Sequence, residues 1–187
     1  RQRLMCIRYS TLTDENVGRL VAASEFLCLQ KGEAIIKEGI VNTGFYILRS
    51  GVLRAYVPDG EREATIWFAV PGEIVFSAWG YVEGSPSKIT VSASCDCSLL
   101  YYTKERIESL LESSPELVAW ERKALMRLLL STDQSLADFS IPCATDRYEV
   151  LLRKMPELLQ YVPLKEIAGF LGVTPQSLSR IRARIVK

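Results

Sequence analysis

The chain has 187 residues, 48% of them hydrophobic, enough for one large domain or two small ones around a real core. It contains no histidine, which removes His-based triads, His general bases and the usual metal sites, so neither an enzyme nor a metal or other cofactor is expected. Charge balances overall at +1 but not along the chain: residues 147–187 carry 8 Lys/Arg against 3 Asp/Glu, and the remainder 15 against 19, so a basic C-terminal module sits on a mildly acidic body and calls for a polyanion of its own.

From the N-terminus, residues Asp14 to Ser24 have helical spacing with Thr13 as N-cap. The pattern then changes to short apolar or alternating runs, "EAIIKEG", "GFYILRSGVLRAYV", "EATIWFAV", "GEIVFSAW" and "KITVSASCDCSLLYYT", punctuated by glycines. Such short strands with frequent turn signals indicate a sandwich or barrel. The clearest hairpin turn is "PDGE", Pro58 to Glu61. From Thr103, with Arg106 as its weak capping partner, the period becomes helical, breaks at Ser114-Pro115 and restarts, because proline suits a first helical position. The second helix is expected from Pro115 to about Phe139. Its apolar stripe is wider than a strict seam, so it covers the barrel and has apolar residues left to face a second copy of itself. "SIPCAT", Ser140 to Thr145, reads as a hinge, followed by a helix capped by Asp146.

Cysteines at 6, 28, 95, 97 and 143 form an odd, scattered set, read as thiols in or near the core of a protein of the reducing cytoplasm. No apolar run approaches the roughly 20 residues of a membrane span. The chain begins at Arg1 with no visible signal peptide, and preceding residues are expected to be missing.

The strongest signal is "VPLKEIAGFLGVTPQSLSRIRARI", Val162 to Ile185. Leu164, Ile167, Ala168 and Leu171 give a short apolar helix face. Gly172 supplies the turn, Thr174 the next N-cap and Pro175 the first helical position. Leu178, Ile181 and Ile185 then pack inward. Two short helices joined in this way form a helix-turn-helix, whose second helix enters the major groove. Gln176, Ser177 and Arg180 fall on one outward face suited to base edges, while Arg182 and Arg184 suit phosphates. With Thr174 and Ser179 they make the expected DNA-binding set.

These features together resemble the Crp/Fnr family of bacterial transcription regulators, over about residues 12 to 185. "KGEAIIKEG" and "FYILRSGVLRAY" resemble the opening strands of its sensory domain, "PGEIV" the entry to its ligand cassette, and "TPQSLSRIRARI" its recognition helix. The resemblance implies an α+β protein in three parts. Residues 1–114 would form a cyclic-nucleotide-binding-like double-stranded β-helix (jelly roll) with flanking helices. Residues 115–139 would be a long dimerisation helix, with Leu117, Trp120, Ala124 and Leu128 at the interface, and residues 140–187 the helix-turn-helix domain. It further implies a cytoplasmic homodimer on double-stranded DNA, contact with RNA polymerase, and a small-molecule effector of unknown identity.

The sequence departs from the family's cAMP-binding pattern, a Gly-Glu-Leu triplet followed by Arg-Ser. An ungapped match places Phe76, Ser77 and Ala78 at the triplet, and Ser87 and Lys88 at Arg-Ser. The ribose-binding Glu becomes Ser77 and the phosphate-binding Arg becomes Ser87, so no cAMP response is expected. The expected pocket consists of Trp67, Phe76, Ser77, Ala78, Trp79, Ser87 and Lys88, either collapsed around Phe76, Trp79 and Trp67 or open to an apolar or differently shaped ligand. Lys88 is expected to face solvent, by alternation along a strand. No N-terminal cysteine cluster is present, so an iron–sulfur sensor is not expected, and the β-hairpin wing that follows the family's recognition helix is expected to be absent or to have been removed. A rival reading is a small-molecule-binding signalling module whose C-terminal domain contacts protein.

Overall fold

In a computed structural model of the chain, the residues described are 12–59, 62–156 and 158–185. Helix α1 (Asp14–Ala23) starts where Thr13 Oγ1 accepts from the Asn16 N–H. Eight strands follow: β1 (Glu25–Leu29), β2 (Ala34–Ile36), β3 (Phe45–Ser50), β4 (Leu53–Asp59), β5 (Arg62–Ala69), β6 (Ile74–Phe76), β7 (Thr90–Ala93) and β8 (Cys97–Tyr102). They form two four-stranded antiparallel sheets, ordered β1-β8-β3-β6 and β2-β7-β4-β5, which close into a roll. A single π-helical turn, Trp79–Glu83, lies between β6 and β7. The tip of the expected "PDGE" turn, residues 60–61, lies outside the described residues. The strands on either side pair as far as Asp59 opposite Arg62, with one register shift between Ala55 and Tyr56.

Strand β3 shows why the roll has apolar material on both sides. Successive side chains of a strand point to opposite faces. Tyr46 and Leu48 join Leu53, Val91 and Leu99 between the sheets. Phe45 and Ile47 pack outward against α1, α2 (Lys104–Glu112) and the start of α3 (Pro115–Phe139). Helix α2 is capped by Thr103 Oγ1 accepting from the Arg106 N–H. The first turn of α3 is tied back to α1, with Glu116 accepting from the Thr13 N–H and from Asn16 Nδ2.

The C-terminal part holds α4 (Ala144–Lys154), α5 (Leu158–Tyr161), α6 (Leu164–Phe170) and α7 (Pro175–Ile185). Helix α4 begins earlier than an Asp146 cap would require. Its N-cap is Cys143, because the Arg147 N–H already bonds to the Cys143 carbonyl and closes the first turn. The link from α3 is correspondingly short, and Thr145 belongs to the helix. The four described thiols are unpaired, and only Cys95 and Cys97 sit in or near the core. Cys28 and Cys143 are exposed, contrary to the burial expected for thiols; Cys6 lies outside the described residues.

This head and the roll share one apolar core. Val52 and Phe68 of the roll are buried with Tyr148, Leu151, Ile167, Leu171, Leu178 and Ile181 of the head. Helix α6 lies on β5, where Thr65 Oγ1 donates to the Glu166 carbonyl and Ser94 Oγ donates to the Glu166 carboxylate. Thr65 Oγ1 in turn accepts from Arg54 Nε, a buried arginine whose Nη1 reaches Glu63 at 2.7 Å.

Candidate nucleic-acid interface and effector pocket

The turn between α6 and α7 follows from its sequence. Gly172 takes φ +66°, a conformation that costs glycine little and other residues more. The Val173 N–H returns to the Ala168 carbonyl and the Gly172 N–H to the Gly169 carbonyl, which satisfies the end of α6. Thr174 Oγ1 then accepts from the Ser177 N–H at 3.2 Å and donates to Ser177 Oγ at 3.0 Å. The Thr174 hydroxyl is thereby committed to the turn, while Ser177 accepts there and keeps its own O–H to donate. The Ser179 hydroxyl donates to the Pro175 carbonyl, leaving only acceptor capacity for a ligand.

Leu178 and Ile181 of α7 are buried, Ile185 is half-buried, and Gln176, Ser179, Arg180, Arg182 and Arg184 are exposed. At 3.6 residues per turn, Gln176, Ser179 and Arg180 form the centre of the outward face. Arg182 and Arg184 flank it on opposite sides. The centre carries side chains that match base edges and the flanks carry cations that match phosphates. The head therefore presents all the charged and amide groups of the expected set, while Thr174 and Ser177 hold their helix in place.

The cassette positions behave differently. Ser77 is buried, accepts from the Gly80 N–H through its Oγ and from the Tyr81 N–H through its carbonyl. Ser87 is also buried, and its Oγ donates to the Ile89 carbonyl and accepts from the Ile89 N–H. Both hydroxyls close local turns. Lys88 is exposed, but the expected reason is wrong: it lies in a bend two residues before β7, not on an alternating strand. The π-turn is seated tightly on the β2–β3 loop, where a Cβ at Gly80 would come within 2.0 Å of the Asn42 carbonyl oxygen. Tyr81 anchors it, its ring tilted against those of Phe45 and Phe76, with Lys104 over its ring and bonded to its carbonyl. Burial and the neighbouring carboxylates of Glu108 and Glu121 push the Tyr81 phenol up to about 12.

The pocket has not collapsed. A cavity of about 380 Å³ lies between the roll and α3, walled by Trp67, Phe76, Ala78 and Trp79 on one side and Ala124, Arg127 and Leu128 on the other. Ser77, Ser87 and Lys88 do not line it. Its basic lining residue is Arg127, and its acidic one Glu73.

Helix α3 carries two apolar stripes. Leu117, Trp120, Ala124 and Leu128 do share a face, but that face turns to the chain's own roll. Leu117 and Trp120 are 0% and 3% exposed in the core, Ala124 packs half-buried against it, and Leu128 lines the pocket. Their expected place in a dimer seam is corrected on this ground for Leu117 and Trp120, which have no surface left to offer. The second stripe, Val118, Leu125, Leu129 and Leu136, runs about 100° away on the helix wheel; Val118, Leu129 and Leu136 are exposed and Leu125 is half-buried. Sequence spacing held the signal for both stripes but not for which faced inward.

A two-sheet roll bearing a long helix and a helix-turn-helix head is an architecture suited to a transcription regulator. The comparisons with known proteins agree. Residues 26–114 match the cyclic nucleotide-binding domain family. The transcriptional activator protein FnrA of Stutzerimonas stutzeri is 28% identical over 173 residues, covering 83% of this chain and 68% of the relative. The nitrogen fixation regulation protein FixK of Bradyrhizobium diazoefficiens is 25% identical over 179 residues, covering 89% and 71%. The solved structure of FixK2 from Bradyrhizobium japonicum superposes with a TM-score of 0.74 at 17% identity, over 87% of this chain and 84% of that one. Over most of its length the chain is thus similar to transcription regulators of the Crp/Fnr type. No helix among the described residues is long and apolar enough to cross a membrane.

Proposed function

We propose that the chain is a homodimeric, sequence-specific DNA-binding regulator whose cassette does not answer to cyclic nucleotide monophosphates. The observation that carries the reading is the outward face of α7, with Gln176 and Arg180 central, Arg182 and Arg184 at the flanks, and Leu178 and Ile181 buried behind them. A two-fold dimer through the second stripe of α3 would present two such helices to two half-sites. The cassette reading rests on Ser77 and Ser87. A buried cyclic phosphate needs a paired cation or several free N–H donors, and both hydroxyls are buried and engaged in local turns. The 380 Å³ cavity is the place for an effector of more apolar character.

The test is binding to random duplex DNA across a salt series. Cation contacts to phosphates make log affinity fall linearly with log salt. Arg182→Ala or Arg184→Ala should lower the slope by about 1 per head without changing sequence preference. A salt-independent affinity, or unchanged slopes in both variants, would take the head away from DNA and favour a protein partner.

A further inference from the structure

A second cavity, of about 300 Å³, lies where roll, α3 and head meet. It shares Trp67, Phe68 and Ser131 with the roll pocket, while its other lining residues come from the end of α3 and from the head. Four rings wall it: Trp67 and Phe68 from β5, Phe139 from the end of α3, and Phe170 from α6. Phe170 contacts both Phe68 and Phe139, with ring centroids 5.5 and 5.6 Å apart. Small-molecule sites favour such concave, apolar seams between domains, with a few polar groups that fix orientation.

The polar lining is cationic on balance. Its charged members are Arg147, Lys154 and Asp138. Lys154 and Asp138 pair at 2.5 Å across α4 and α3. Arg147 has no carboxylate partner among the described residues. Its Nη1 donates to the carbonyls of Ile141 and Pro142 and its Nη2 to that of Leu171, while its Nε is buried without an acceptor. Carbonyl dipoles hold the guanidinium but leave its full charge in place. A buried donor without a partner is costly, and a cation beside a low-dielectric wall attracts an anion more strongly than one in water.

We propose that this junction cavity is a ligand site in its own right, taking a small aromatic monocarboxylate. The ring lies among Trp67, Phe68, Phe139 and Phe170, and the carboxylate turns toward Arg147 and Lys154. The volume, at the lower end for small-molecule sites, fits one or two fused rings. Because its walls come from roll, long helix and head together, an occupant favours the docked position of the head over any position that parts those walls. The assignment is independent of the DNA-binding reading and of what fills the roll pocket.

The probe is 1-naphthoate, titrated into the full chain by calorimetry and located by nuclear Overhauser contacts to methyl groups. One saturable site per chain is expected, with contacts from ring protons to the Met155 and Leu151 methyls, both of which line this cavity. The uncharged analogue 1-naphthalenemethanol should bind at least about tenfold more weakly, as loss of a charge-assisted contact implies. Gln134→Trp, at an exposed position on the cavity wall, should block the probe while leaving the circular dichroism unchanged. Thr132→Trp, at an exposed position in the roll pocket only, should leave it bound. No saturable binding up to millimolar probe would overturn the proposal. So would equal affinity for the alcohol, or contacts confined to Ile89 and Leu128, which belong to the roll pocket.

Discussion

Leu129→Asp should separate the dimer from the fold. Leu129 is 54% exposed in the single chain, on the stripe with Val118, Leu125 and Leu136. Fully burying a leucine side chain is worth about 1.5–3 kcal/mol, so covering the exposed half contributes about 1 kcal/mol. Two-fold symmetry uses the site twice, giving about 2 kcal/mol for the pair before the cost of a charge in an apolar seam. The dimer dissociation constant should therefore rise at least about 30-fold. Thermal unfolding of the monomer should shift little, because exposed positions away from packed features tolerate substitution within about 0.5 kcal/mol. Leu117→Ala, at 0% exposure, should do the opposite, destabilising each chain by about 2–5 kcal/mol through a core cavity. Sedimentation over a concentration series, paired with circular dichroism melts, reads both. A Leu129→Asp protein that stays dimeric at nanomolar concentration would show that the second stripe is not the seam.

Calorimetry with cAMP and cGMP should give no binding at micromolar concentration, and Lys88→Ala should change nothing; micromolar affinity lost in Lys88→Ala would put Lys88 in the site. Glu121 is expected to hold its proton more tightly in the folded chain than unfolded, because burial and then the Glu108 carboxylate raise it above its ordinary 4.5. A folded state that binds the proton more tightly loses stability as pH rises through that range. Glu121→Gln should accordingly raise Tm at pH 7, with the gain fading below the ordinary carboxyl value, and a variant less stable at pH 7 would contradict the assignment.

How much was legible in the sequence depended on whether a residue's role is local. The head's turn is local: Gly172, Thr174 and Pro175 dictate an αL residue, a cap and a helix start, and the hydrogen bonds follow. The break at Ser114-Pro115 and the cap at Thr103 are local too. Alternation along β3 marked a strand but not which sheet face held Tyr46 or Phe45. The two stripes of α3 are equally visible as spacing, and only the packing of Leu117 and Trp120 against α1 and the roll decides which is spoken for. The identities of Ser77 and Ser87 pointed away from a cyclic phosphate, yet their use as turn closers lay in the three-dimensional path of residues 77–89. Least legible were the long-range contacts. Nothing near Glu166 in the sequence signals its bond to Ser94, 72 residues away. Nor does anything near Arg147 signal the three carbonyls that it holds at the junction.

Whether α7 reads DNA sequence from a two-fold dimer is decided by selecting bound duplexes from random DNA with the parent chain and with Arg180→Ala. Enrichment of two inverted half-sites about 10–10.5 base pairs apart, centre to centre, or a multiple of that spacing, is expected. Arg180→Ala should lose about 1–3 kcal/mol on the selected site and relax preference at one position of each half-site. Failure to enrich any sequence, or a loss in Arg180→Ala that is equal on all sequences, would contradict that reading.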